Sequence, residues 1–446
     1  MKYSFMKAFL TILSGSLLAG ALTACSSEDA PAVDNKVVPG NEGVAGVNEE
    51  QAEYTVPAFP DETNRGKILS LPESVKGVSR AANAFAVDMF RTLREQSGGN
   101  NIATAPFSVF TALSMAANGD SGQTREGIVN RLGNGEATLE ELNTFSSAMM
   151  EQLVHLDGGV WCMTANSLWV NGRGDDVNAG FSNTLNEVYN ASLYARDFGT
   201  DDVRSEINRW IENHTYGSIK DFLSDGVCGN AALINTVYFK GLWSSGFHES
   251  GTAPEAFHNL DGSVKEIASM HQREALNVIL NDEVTTLILP FGTDLHNPHF
   301  TMTVMMPADN FDGFVNTLTA EKIAGYTAAA GNNRILTDLS LPKFESDYKN
   351  NIASCLTALG LGSMFENGFN SMLTSPVKVD GAIHGARIKV SEEGTEATGA
   401  TAIILLGSDL GSNPKATVVN IDHPFVYTIS EVSTGTILFM GEITNL

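Results

Sequence analysis

The hydrophobic pattern changes character three times along the chain. Positions 8–22 are almost continuously apolar, interrupted by Ser14, Gly15, Ser16 and Gly20, and they follow the positive residues Lys2 and Lys7. That run is shorter than the roughly 20 residues a membrane-spanning helix needs, so it reads as an export segment. Residues 26–65 hold no sustained period of 2 or 3.6. Near Ser79 a helical period sets in, with Phe85, Met89 and Leu93 on one stripe and Ala82, Ala86 and Phe90 beside it. Further helices are predicted over 108–117, 139–153, 203–214 and 350–361, and strands over 232–239, 285–289, 300–306 and 436–440. Strands crowd the last two thirds, and neither a repeat nor a second linker is present. The expectation is one α+β domain of about 370 residues.

The apolar run closes on Leu22-Thr23-Ala24-Cys25, with polar Ser26-Ser27-Glu28-Asp29 directly after it. This resembles the lipobox of bacterial lipoproteins, in which the cysteine is lipidated and becomes the first mature residue. The resemblance implies a signal peptide over 1–24 and a lipidated Cys25 heading a tether that runs to residue 77. Two or more acyl chains suffice for stable anchoring. The folded domain, 78–446, is then expected outside the cytoplasm, held at an outer membrane and facing either the periplasm or the cell surface. Residues 26–65 carry nine acids against two bases, with Pro, Gly and Ala between them, as a solvated spacer would.

Charge and cysteine content narrow the function. The 27 Lys plus Arg against 52 Asp plus Glu leave a net charge of -25, the wrong sign for neutralising phosphates, so nucleic-acid partners are excluded. Four cysteines in 446 residues cannot form a disulfide scaffold, and stability must come from packing.

Three groups of residues imitate catalytic or metal sites. Gly119-Asp120-Ser121-Gly122 looks like the nucleophile turn of trypsin-like proteases, but the His…Asp…Ser order needs a histidine upstream, and the first is His155. No Gly-x-Ser-x-Gly elbow supports another order. His296 and His299 flank Asn297-Pro298, a loop signal, without a Cys or Glu cluster to complete a tetrahedral set. Cys162, Cys228 and Cys355 lack CxxC spacing, and Cys355 sits in a helical pattern where a buried inert thiol is the default. No cofactor or metal is expected.

The segment that fits no ordinary surface is Glu392-Glu393-Gly394-Thr395-Glu396-Ala397-Thr398-Gly399-Ala400-Thr401-Ala402, followed by Ile403-Ile404-Leu405-Leu406 and Gly407-Ser408-Asp409-Leu410-Gly411-Ser412-Asn413-Pro414. Read with period 2, Thr395, Ala397, Gly399, Thr401, Ile403 and Leu405 form one face, while Glu396 and Thr398 begin the other. Such a segment suits an exposed loop in one state and a strand within a sheet in another.

At this point the chain resembles the serpins over residues 78–446. Glu392 to Ala397 matches the family's hinge, which continues through Thr398, Gly399 and Ala400. Val419-Asn420-Ile421-Asp422-His423-Pro424-Phe425-Val426-Tyr427 matches its C-terminal signature. Ala105-Pro106-Phe107-Ser108, Asn208-x-Trp210, Thr215-x-Gly217-x-Ile219-Lys220, Asn235-x-Val237-Tyr238-Phe239-Lys240-Gly241-x-Trp243 and Leu341-Pro342-Lys343-Phe344 follow in the family's order. The resemblance implies a large central β-sheet with smaller sheets, about eight or nine helices and an exposed reactive-centre loop. It casts Ser108, Asn235 and His384 as a polar shutter beneath the sheet. Trp243, with an ion pair between Lys343 and Glu392, is the breach where insertion starts. Ala105 stands where a shutter serine is usual, which puts one hydrogen bond in question.

The implied function is inhibition of serine endopeptidases, with cysteine endopeptidases as a further target class: the loop is cut, an acyl-enzyme forms, and insertion of the loop drags and distorts the protease. The alternative is a serpin-fold protein that binds or serves as decoy substrate without inhibiting; such members carry Pro, charged or bulky hinge residues, and none stands at Thr395, Ala397, Gly399 or Thr401. Counting forward from Gly394 by the family's spacing places the scissile bond at Ser408-Asp409, with Leu406 and Leu410 as alternatives. Counting back from Pro424 places it near Asn413, so the loop is about five residues longer than usual. Small and aliphatic residues there, without arginine, point to elastase-, subtilisin- or papain-like targets. The helix predicted over 139–153 has acids and no base, against heparin-type activation, and a monomer is expected.

Overall fold

The computed structural model describes residues 68–172, 176–224, 229–379, 382–395 and 415–446. Cys25 and its tether, Cys228, Glu396 through Ala400, and the candidate scissile residues Leu406, Ser408, Asp409 and Leu410 lie outside the described residues.

The stripe that begins at Ser79 folds as helix α1 (Val78–Ser97), which buries Phe85, Met89, Phe90 and Leu93. A short strand β1 (Ile102–Thr104) leads into α2 (Pro106–Ala117), whose proline occupies the first turn, where its missing N–H costs nothing. Then come α3 (Gln123–Leu132) and α4 (Leu139–Leu153), the latter opened by a capping box between Thr138 and Glu141. Strand β2 (Val160–Asn171), α5 (Ala179–Tyr189), β3 (Ser192–Arg196), α6 (Asp201–His214) and β4 (Ala231–Leu242) follow. The middle of the chain is a meander of β5 (Ala253–His258), β6 (Val264–Leu280), β7 (Val284–Phe291) and β8 (Phe300–Pro307). After α7 (Phe311–Asn316) and α8 (Ala320–Gly331) come β9 (Arg334–Pro342), β10 (Phe344–Asn351), α9 (Ala353–Leu356) and α10 (Ser363–Glu366). The last strands are β11 (Ile383–Ser391), β12 (Gly394–Thr395), β13 (Thr417–Asn420), β14 (Phe425–Glu431) and β15 (Ile437–Ile443).

Among the described residues eight helices reach six residues or more, as expected. The helix predicted over 350–361 starts late. Asn350 and Asn351 close β10 opposite His384 and Ile383, and the Asn351 carboxamide then accepts the Ala353 N–H at 2.9 Å. Local polarity at the two asparagines serves a strand end and a cap, not a first helical turn.

Two sheets carry the fold. One is a nine-stranded ladder, β1-β15-β14-β8-β7-β6-β9-β13 with β5 on β6, in which the long β6 joins what would otherwise be separate smaller sheets. The other has six strands in the order β10-β11-β12-β4-β2-β3. They meet through aromatic rings: Phe239 of β4 sits edge-on to Phe291, Phe300 and Phe439 at 5.2, 5.8 and 5.9 Å. Such contacts add about 0.5–1.5 kcal/mol each beyond area burial. Buried α2 packs against both β4 and β15 and so braces one sheet on the other.

Candidate functional site: a slot between two strands

Strands β4 and β11 run in the same direction within the six-stranded sheet, yet they pair with each other nowhere. Both pair instead with the two residues of β12. Thr395 lies opposite Gly241 on one side and Val390 on the other. Two neighbouring-strand spacings of about 4.8 Å therefore separate β4 from β11 at this level. Below Thr395 the described residues leave a slot one strand wide.

The top of the slot is held by the predicted breach residues. The Trp243 indole stacks on Phe291 at 4.3 Å, its Nε1 donates to the Ser391 carbonyl at 2.9 Å, and its backbone N–H donates to the Glu393 carbonyl at 2.9 Å. Glu392 is buried and ion-paired with Lys343 at 2.8 Å, and it also accepts from the Thr252 hydroxyl at 2.7 Å. Burial alone would raise the Glu392 carboxyl. The hydrogen bonds from Lys343 and Thr252 outweigh it and hold the group below the usual carboxylate range. Gly394 has φ 146°, and a Cβ there would lie 1.9 Å from the Gly241 carbonyl oxygen, so the turn into the slot is closed to any other residue. Thr395 is fully buried, and its hydroxyl accepts the Gly241 N–H at 3.0 Å.

Farther down, the shutter residues come together through α2. The Ser108 hydroxyl donates to the Asn235 side chain. Asn235 donates to Asn166 on β2 at 2.5 Å, and Asn166 donates to the Tyr189 carbonyl at 2.8 Å. His384 is not bonded to Asn235; its Nε2 accepts the backbone N–H of Ala105 at 3.1 Å. The missing serine at 105 therefore costs the histidine nothing, because the main chain supplies the donor. Burial pushes the His384 imidazole down to about 4, which keeps it neutral and able to accept. The first turn of α2 thus ties the β4 side of the slot through Ser108 and the β11 side through Ala105. Asn166 escaped the sequence reading, since a lone asparagine in a strand pattern gives no sign of its partner 69 residues away.

Over the outer face of the sheet runs a strap, residues 216–223, which follows α6. The Tyr216 ring lies 4.9 Å from that of Tyr238 on β4. On the far side of the slot, Arg387 donates to the Ser218 carbonyl at 3.2 Å, and Lys349 donates to the Asp221 carbonyl at 2.6 Å. Phe222 rests on Gly385, where a Cβ would come within 2.7 Å of its ring. Asn208 of α6 holds the strap's end by exchanging hydrogen bonds with Leu223 at 2.9 and 2.6 Å.

The imitations of other sites prove structural. The Ser121 hydroxyl donates to Asn370 at 3.0 Å, while Asp120 accepts the N–H groups of Gly122, Arg125 and Asn370. The Asp294 carboxylate caps the turn at His296, accepting the backbone N–H groups of His296 and Asn297 at 2.9 and 3.0 Å. Among the described residues no three His, Cys, Asp or Glu side chains form a metal set. Cys162 and Cys355 are free and buried, and burial pushes the Cys355 thiol up to about 12 and Cys162 higher still, which leaves both unreactive.

A six-stranded sheet whose strands β4 and β11 are bridged only by the two described residues of β12, beside a nine-stranded ladder, defines a class of protein, and comparison with known families agrees. The family model Serpin (serine protease inhibitor) matches residues 80–446, and the chain belongs to this family. It is 30% identical over 368 residues to Serpin-ZXA of Oryza sativa subsp. japonica, covering 78% of this chain and 90% of that one. It is 29% identical over 385 residues to an uncharacterized serpin-like protein of Methanosarcina mazei, covering 83% and 88%. Among solved structures, Arabidopsis AtSerpin1 in its native stressed conformation is similar with TM-score 0.71 and 26% identity, over 84% of this chain and 99% of that one. Human kallistatin, at TM-score 0.74 and 21% identity over 84% and 99%, shares the fold.

Proposed function

We propose that this serpin is an inhibitor that traps endopeptidases by inserting its cleaved loop into the slot. What carries the reading is the match between slot and segment when the register of Gly394 and Thr395 is continued downward. An inward residue at 397 would meet Phe239 and Ile388, one at 399 would meet Val237 and Ala386, and one at 401 would meet Asn235 and His384. The sequence supplies Ala397, Gly399 and Thr401. The two small apolar positions fall on apolar rows, and the hydroxyl falls on a row that is polar across the sheet: Asn350, His384, Asn235, Asn166. None of the inward positions 395, 397, 399 and 401 is bulky or charged, so insertion over these rows meets no steric or charge-desolvation barrier.

In this mechanism the protease attacks the loop at Ser408-Asp409, or at Leu406 or Leu410, and its catalytic serine is acylated. The freed strand then enters between β4 and β11, carrying the protease with it before water can release the acyl group. The loop chemistry favours proteases that take small or aliphatic residues. Helix α4 carries Glu140, Glu141 and Glu151 and no base, which argues against activation by heparin. The lipobox at Cys25 would tether the inhibitor to a membrane, with the acidic spacer holding the domain clear of the surface. Incubating the purified protein with an elastase, a subtilisin and a papain-like enzyme tests the reading: an SDS-resistant complex is expected. Cleavage of the loop by all three with no complex would replace it with the decoy-substrate alternative.

A further inference from the structure

A second apolar cluster lies between α1 and one face of the nine-stranded ladder, and a carboxylate is set into it. The cross-strand row Ile102, Glu442, Val426, Met305 runs through β1, β15, β14 and β8, and its three apolar members belong to that cluster together with Val87 and Phe90 of α1. Glu442 is fully buried there. Its Oε2 accepts the Nε–H of Arg94 at 2.7 Å, while its Oε1 is buried with no hydrogen-bond partner among the described residues. The same guanidinium turns its Nη2 to the Asp312 carboxylate in the first turn of α7, and the Phe311 ring lies 5.5 Å from it. Asp312 is exposed, and α7 is only six residues long. One cation therefore serves two carboxylates, one fixed within the sheet packing and one on a short surface helix.

Arg94 and Asp312 are the charged groups that act on this carboxyl. Strands β1 and β14 set Ile102 and Val426 beside it, Tyr427 belongs to the opposite face of β14, and Glu431 closes that strand five residues away. Helix α2, which also packs on β15, has no ionisable side chain. On α1, Asp88 is paired with Arg131, and Arg91 and Glu95 stand about 60° and 100° round the helix from Arg94. The geometry points to a proton-operated latch: Arg94 pins α7 to α1 while Glu442 is neutral, and ionisation of Glu442 loosens α7. Neutral Glu442 still accepts from Nε through Oε2 and carries its proton on Oε1, the oxygen no donor reaches. Loss of that proton to solvent leaves two anions on one guanidinium and an unsatisfied anionic oxygen in an apolar cluster. Of the two carboxylates, only Asp312 has room to move away. Burial lifts the Glu442 carboxyl to about 7 although Arg94 pulls it down, and Asp312 adds to the lift. By reciprocity, ionised Glu442 weakens the Asp312 contact to the same extent. Burial also opposes the charge on Arg94, but its two carboxylates outweigh that and keep the pin charged. The latch is independent of the loop and its slot.

The test is a pair of pH profiles on the full-length protein, melting temperature and amide hydrogen exchange of α7, each read as variant against wild type so that groups titrating in both cancel. A carboxyl that titrates at about 7 in the fold against an ordinary 4.5 contributes stability that is complete below 4.5 and is lost as pH rises to 7, up to roughly 300-fold in the unfolding constant. Glu442→Gln, which cannot ionise, should converge with the wild type toward pH 4.5 and melt progressively higher than it as pH rises to 7. Above pH 7 the wild type, and not this variant, should lose about tenfold in exchange protection over α7 after correction for intrinsic exchange, while α2 stays protected in both. Asp312→Asn, a change at an exposed side chain, should move the wild-type loss of melting temperature to lower pH, because it removes the second anion. An offset between Glu442→Gln and the wild type that is the same at every pH would give Glu442 a packing role only and overturn the latch. Corrected α7 exchange that ignores pH, or an Asp312→Asn profile identical to the wild type's, would overturn it equally. If Glu442→Gln does not fold, the wild-type and Asp312→Asn profiles decide between them.

Discussion

Replacing Thr395 with arginine separates the inhibitor from the substrate more cleanly than any other single change. Thr395 is fully buried between Gly241 and Val390, with its hydroxyl on the Gly241 N–H. Losing that hydrogen bond costs about 1 kcal/mol. Placing a guanidinium in the same site adds an unpaired buried charge, whose effective penalty is several kcal/mol. Glu392, a buried carboxylate at the top of the slot, is already committed to Lys343 and Thr252. Taking about 3 kcal/mol as the part felt in the insertion transition state, insertion slows roughly 150-fold, since each 1.36 kcal/mol is a factor of ten. Deacylation is untouched and wins the race. The loop stays accessible, so Thr395→Arg should be cut at a similar rate and release active protease. The assay is a titration of protease against inhibitor, read on a denaturing gel for complex and cleaved product. If the variant forms stable complex with wild-type stoichiometry, Thr395 is not the insertion hinge and the register continued from it is wrong.

Other expectations follow from the same geometry. On the inhibitory reading the uncleaved chain sits above its most stable arrangement, so cleavage within 405–413 should raise the melting temperature markedly; an unchanged melt after confirmed cleavage would refute this. His423 holds both ring nitrogens against acceptors, Asp422 at 2.8 Å and the Pro307 carbonyl at 2.9 Å, and the Asp422 hydrogen bond raises its pKa above the ordinary 6.5 despite burial. Its stabilisation is full below pH 6.5 and drains away as pH climbs through the raised value, so the wild type should lose melting temperature there and His423→Gln should not; matching profiles would count against it. Cys25→Ser should abolish fatty-acid labelling and release the protein from membranes, and an unlabelled wild type would refute the lipobox.

The helices and strands with strong periods were legible in the chain, as α4 shows by matching 139–153 end to end. Strand β4 runs three residues past the predicted 232–239, because its last residues are held by partners distant in sequence, Thr395 and Gly394. Trp243, Lys343, Ser108, Asn235 and His384 could be singled out through their motifs. What could not be read is how the parts connect: His384 finds its donor in the main chain of Ala105, and Asn166 enters only through cross-strand pairing with Asn235.

The strap over the sheet sets a ceiling as well as a path. Tyr238 and Arg387 stand level with each other on opposite banks of the slot, and the strap is fastened to both, with Phe222 bearing down on Gly385 just beyond. A strand cannot be laid in from above; it must be threaded under a crossbar, between that bar and the first turn of α2. Headroom is then rationed on both faces at once, where an ordinary sheet strand is crowded on one. On the inhibitory reading the sequence would meet that clearance: Thr398, Ala400 and Ala402 would keep the outward side as slim as Ala397 and Gly399 keep the inward side, with bulk returning at Ile403, past the crossbar.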